Sequence, residues 1–184
     1  PWQAYPQAEA VNAFARGVGS AMTGDPVAAR SEVARLQSLR DAAADMKIAY
    51  WAQQLDIQAE VVRGLATCAE GNTAECLAIL RTAADREDAT EKHVVTPGPI
   101  LPAREVVATV LLRQGNSQDA LREFEAVLAK EPNRYRALAG ALQAAERAGD
   151  TAKAKHLAAQ ILDQTATADT PRPEIDTARL LVSR

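Results

Sequence analysis

His93 stands five residues after Asp88 and two after Glu91 in DATEKHVVTPGPILP (88–102), where an imidazole and two carboxylates come together. Such a trio can share a proton as a general acid–base pair or hold a metal ion weakly. Only one other histidine, His156, exists in the chain, and no second ligand lies at a spacing that would set a coordination geometry. The same stretch has a second reading. Pro97, Gly98, Pro99 and Pro102 stiffen it, because proline locks its own φ and keeps its predecessor out of the helical region. Long, rigid connections are more often functional than short ones. His93, Thr96 and Pro97 therefore also read as the rim of a binding groove, and the plainest alternative is a loop packed over helix ends. His156, among lysines in AKAKHLAAQ, reads as a solvated surface position.

Cys68 and Cys76 flank an expected turn at 70–72. They could bridge that turn in an oxidising compartment; the plainer reading is two small, half-buried thiols. No CxxC pair and no cysteine–histidine set has zinc spacing. GxSxG, GxxxxGK[ST] and HExxH are all missing. The glycine-rich GVGSAMTG (17–24) follows no strand and falls inside an expected helix, which excludes a phosphate loop. With no convergent catalytic set, the chain reads as a non-enzyme with no cofactor and no metal.

The elements that must carry these residues are helical. Alanine fills about one position in five, while aromatics make up 4%. That bias favours close-packed helices, since alanine has the highest helix propensity and lets neighbours approach. At this length about 70% of the unfolded chain's surface can be buried without a staple. A net charge of −3 offers no basic stripe for nucleic acid. No apolar run approaches the roughly 20 residues of a membrane span. The chain begins at Pro1 without Met, so a processed piece of a longer protein is expected, with the compartment open between cytoplasm and periplasm.

Four segments repeat one design: GDPVAARSEVARL (24–36), GNTAECLAILRTA (71–83), GNSQDALREFEAV (115–127) and GDTAKAKHLAAQI (149–161). Each glycine should end a helix in the left-handed region that only glycine adopts cheaply. The Asp or Asn after it should accept hydrogen bonds from the next helix's free N–H groups. A small residue follows five places after the glycine, at Ala29, Cys76, Ala120 and Ala154, where the second helix comes nearest the first. Gly17 and Gly64, each seven places before a corner, predict tight helix contact.

Gly115 and Gly149 are 34 residues apart, which is the tetratricopeptide period. With Leu101 as first position, Ala108, Gly115, Ala120, Phe124 and Pro132 match that family's pattern; Arg104 and Leu111 depart from its preferred Trp and Tyr. In the next unit (135–168) Leu142 takes the usual small position. The chain thus resembles the tetratricopeptide repeat family, as found in the C-terminal part of longer bacterial proteins. The first glycines are 47 and 44 residues apart, the excess lying in a long helix or loop around 40–47 and in the loop before 102.

The predicted fold is all-α, a right-handed superhelix of stacked antiparallel hairpins with about nine helices. They are expected at 6–22, 26–43, 46–70, 73–88, 101–114, 117–130, 134–148, 151–165 and 173–182. One array is expected over 1–184: two degenerate hairpins (6–88), an ordered Pro-rich loop (89–100), two better repeats (101–168) and a capping helix (169–184). Tyr50 or Trp51 should join Ile48, Leu55 and Val62 in the core.

The resemblance implies recognition along a concave face made by the first helix of each pair. In its register Glu105, Thr109 and Arg113 face that groove, with Arg136, Gln143, Glu146 and Arg147 from the next unit. Arginine forks and Gln carboxamides suit an extended peptide's carboxylates and backbone. The equivalent Phe14, Val18, Val61 and Leu65 are too apolar to stay open, so a shifted register or a covering segment is expected there. The expected partner is a protein or peptide, a second copy of the chain included, and not nucleic acid. The competing reading is the helical part of a larger enzyme or metal protein whose reactive residues lie upstream.

Overall fold

The structure is a computed structural model, and it describes residues 4–91 and 99–183. The described residues form nine helices and no strand, as expected: α1 (Pro6–Met22), α2 (Pro26–Asp45), α3 (Ala49–Ala69), α4 (Thr73–Asp88), α5 (Ala103–Arg113), α6 (Ser117–Lys130), α7 (Tyr135–Ala148), α8 (Thr151–Gln164) and α9 (Pro173–Val182). None is long and apolar enough to cross a membrane.

All four glycine corners close as the sequence predicts. Gly24, Gly71, Gly115 and Gly149 have φ of 85°, 88°, 83° and 77°. At each, the next N–H reaches back five residues, as in Asp25 N to Ser20 O (2.9 Å) and Asn116 N to Leu111 O (2.9 Å). That bond satisfies a carbonyl which the end of the helix would otherwise leave unpaired. The caps that follow divide by chemistry. Asp25 accepts from Ala28 N at 2.9 Å and Asp150 from Lys153 N at 3.0 Å. Asn72 and Asn116 make no side-chain cap bond, contrary to expectation.

A fifth corner has no glycine. Lys47 takes φ 58°, and Ile48 N bonds Ala43 O at 3.1 Å, so α2 closes just as the glycine-ended helices do. This moves the start of α3 from the expected 46 to Ala49. The long first spacing is absorbed by the helices themselves, 20 residues in α2 and 21 in α3.

The chain divides into two compact units, Pro1–Val106 and Val107–Arg184, with the division inside α5. In the first unit, Arg16–Glu32 (2.7 Å) and Arg35–Glu9 run α1 antiparallel to α2. Arg40–Asp56 (2.9 Å) does so for α2 and α3, and Asp56–Arg86 (2.7 Å) for α3 and α4. Gly17 is where α1 meets α3: a Cβ there would lie 2.6 Å from Val62 Cγ1. Gly64 meets α4, where a Cβ would lie 2.8 Å from Leu80 Cδ2. Both glycines thus mark close approach, as their spacing predicts.

In the second unit, the expected small position is filled by the buried Leu142, and the tight contact lies two residues earlier. A Cβ on Gly140 would intrude into the ring of the buried Phe124, which joins α7 to α6. Lys153–Glu125 (2.7 Å) ties α8 to α6. Arg172 lies 5.5 Å over the Tyr135 ring, and α9 buries Ile175 and Ala178. Ala29, Cys76, Ala120 and Ala154 are all buried, each one turn into its helix.

Candidate functional site

The polar face expected for recognition lies on α5 and α7. Steps of four place Thr109 and Arg113 on one side of α5, and Arg136, Gln143 and Arg147 follow the same side of α7. Arg113, Arg136, Gln143, Glu146 and Arg147 are exposed, and Thr109 is half-buried. Arg147 Nη1 donates to the Leu112 carbonyl at 3.2 Å, anchoring α7 to the end of α5 while its remaining donors stay available. Glu105 differs from expectation: it is 1% exposed, so it offers no open face to a partner. Helical spacing placed it correctly along α5, but periodicity alone does not report what covers a side chain.

His93, Thr96 and Pro97 lie outside the described residues, as does most of the Pro-rich loop. Of the residues around them, Asp88 is bonded by Arg104 at 2.6 Å, and Asp85 by the same guanidinium at 2.8 Å. Arg104 therefore acts here as an ionic clamp. Glu87 accepts from Ala103 N at 2.7 Å, capping α5 in place of a residue of its own turn. His156 is exposed, as read from the sequence. Among the described residues no three His, Cys, Asp or Glu side chains cluster as a metal site would require.

The first unit carries one feature that spacing did not predict and one that it left as the second choice. One is a chain of charges, Arg40–Asp56–Arg86–Glu60, with bonds of 2.9, 2.7 and 2.7 Å linking α2, α3 and α4. Burial pushes the Asp56 carboxyl up, but the Arg86 and Arg40 guanidiniums outweigh it and hold the carboxyl below its usual range. The other is the disulfide: Cys68 and Cys76 are bonded, with Cα atoms 5.1 Å apart, in place of the two free thiols preferred from sequence. The antiparallel α3–α4 corner brings the two backbones within bridging distance.

Phe14, Val61 and Leu65 are buried and Val18 half-buried, so the apolar groove positions of the first unit are covered. Neither Tyr50 nor Trp51 is fully buried, which corrects their assignment to the core. The two rings meet edge to face with centroids 5.2 Å apart and wall a cavity of about 180 Å³ with Phe14, Leu55, Gln7 and Gln58. No family model matches the chain, and no curated protein sequence matches it.

Proposed function

We propose that the chain is a protein-interaction module of the tetratricopeptide kind, which binds an extended partner segment and performs no chemistry of its own. The observation that carries this reading is the exposed stripe of Arg113, Arg136, Gln143, Glu146 and Arg147 on α5 and α7. The arginine forks of such a stripe suit carboxylates of an extended peptide, and Gln143 suits its backbone. The helices that carry it are held by hydrogen-bonded corners and close-packed glycine contacts, so little ordering entropy is lost on binding. The 34-residue spacing of Gly115 and Gly149 supports the family assignment. The Cys68–Cys76 bond favours an oxidising compartment, the periplasm of the two considered.

A panel of extended acidic peptides, titrated by fluorescence anisotropy, tests the reading. Reversing both charges, Arg113→Glu with Arg136→Glu, should weaken capture by at least about 100-fold while leaving circular dichroism unchanged. Equal affinity in the variant would reject the stripe as the binding surface.

A further inference from the structure

The cavity in the first unit holds about 180 Å³, slightly more than the roughly 150 Å³ that admits benzene in an engineered apolar cavity of another protein. Its floor is closed by Phe14, Leu55 and Ile57, all buried, whereas Val11 and Ile100 at its edge are 41% and 66% exposed. A ring-sized group can therefore enter from solvent and reach an apolar base between α1 and α3. The wall also carries two carboxamides, Gln7 and Gln58, whose Oε1 atoms are buried with no hydrogen-bond partner. Buried acceptors are normally paired, so two orphans on one small cavity call for a donor. As they stand the two oxygens are closed to solvent, so a turn about the soft terminal torsion of Gln must accompany binding for either to meet a donor in the cavity. Among the described residues of the wall the one charged group is Glu87, and its carboxylate already caps α5 through Ala103 N. The cavity thus asks for no cation.

We infer that this cavity binds a neutral, ring-sized apolar molecule carrying an O–H or N–H donor. The Trp51 and Tyr50 rings flank its body, and the Gln7 and Gln58 oxygens accept from its donor. Nothing in this site depends on the Arg113–Arg147 stripe, so the two readings stand or fall separately.

Phenol and toluene form a matched pair of probes, alike in shape and differing in the donor. The full chain is titrated with each while amide and indole NMR resonances are followed. Phenol should bind about tenfold more tightly than toluene, with shifts confined to the Gln7 and Gln58 side-chain amides, the Trp51 indole and their neighbours. Gln58→Met should remove most of that preference and leave toluene binding within about twofold. The comparison in the unaltered chain decides the matter even if the variant folds poorly. Equal affinity for the two probes, absence of shifts, or shifts scattered over the chain would each overturn the inference. So would binding of peptides with an aromatic side chain without binding of free phenol.

Discussion

The residues up to Val106 and those from Val107 onward are built from the same corner by different means. In the first unit the helices run to 17, 20, 21 and 16 residues, and neighbours are tied by named polar bonds and a disulfide. In the second, α6, α7 and α8 are 14 residues each, with Leu121, Phe124, Leu138, Leu142, Leu157 and Ile161 buried among them and Phe124 set against Gly140. Close approach at a glycine occurs in both units, at Gly17 and Gly64 in the first and at Gly140 in the second, where Leu142 fills the expected small position. The first unit adds to these contacts the cross-links between its longer helices. Each exposed ion pair contributes little by itself, and these links add to an apolar core that includes Leu36, Leu55, Ile57, Val62 and Leu80.

If apolar fit carries the second unit, Gly140→Ala should rival the most damaging change available in the first. The new methyl would displace the Phe124 ring, and overpacking of this kind costs about 1–3 kcal/mol even after alanine's better helix propensity. Urea denaturation should show that loss, and Phe124→Leu in the same chain should restore part of it. Restoration by the smaller partner would identify the ring as the cause.

The first unit should respond to its cross-links instead. Replacing both Cys68 and Cys76 with serine releases a short loop and should cost about 2–3 kcal/mol. Amide exchange should accelerate in α3 and α4. Unchanged exchange there would mean that the ion pairs and Gly64 contact suffice.

Asp56→Asn comes next, at about 0.5–1 kcal/mol near neutral pH, because its partners are partly exposed. The pH dependence has a definite sign. Asp56 is held below the ordinary carboxylate value when folded, so its contribution is complete above the unfolded pKa and is lost as pH falls through the folded one. Acid unfolding curves below about pH 4 should therefore converge for Asp56→Asn and the unaltered chain.

An effect of similar size should be a gain. Lys47 bears a side chain at φ 58°, where left-handed backbone costs about 1–2 kcal/mol and glycine's extra entropy costs about 0.5–1. Lys47→Gly should raise stability by roughly 0.5–1 kcal/mol in thermal melts.

The positions that sequence reading located and those it missed differ in physical kind. Gly24, Gly71, Gly115 and Gly149 were legible because a left-handed corner nearly requires glycine. Lys47 was not, since its closure rests on backbone bonds from Lys47 and Ile48 that any residue can make. Arg113, Arg136, Gln143, Glu146 and Arg147 could be placed on exposed faces from helical spacing, whereas Glu105 shared that spacing and is buried. The Tyr50–Trp51 cavity draws on α1, α3 and residues 99–101, segments with no common sequence pattern.

By itself, then, the order of residues determined the four glycine corners, which helices the chain forms and which small side chains lie one turn past each of those corners. Those are local matters, decided by backbone conformations and hydrogen bonds within a few residues. Only the tertiary structure decided that Cys68 is joined to Cys76, that Asp56 serves Arg40 and Arg86 together, and that two carboxamides share one apolar cavity. Each of these depends on distances between helices, which follow from packing of the buried side chains and are written in no single segment.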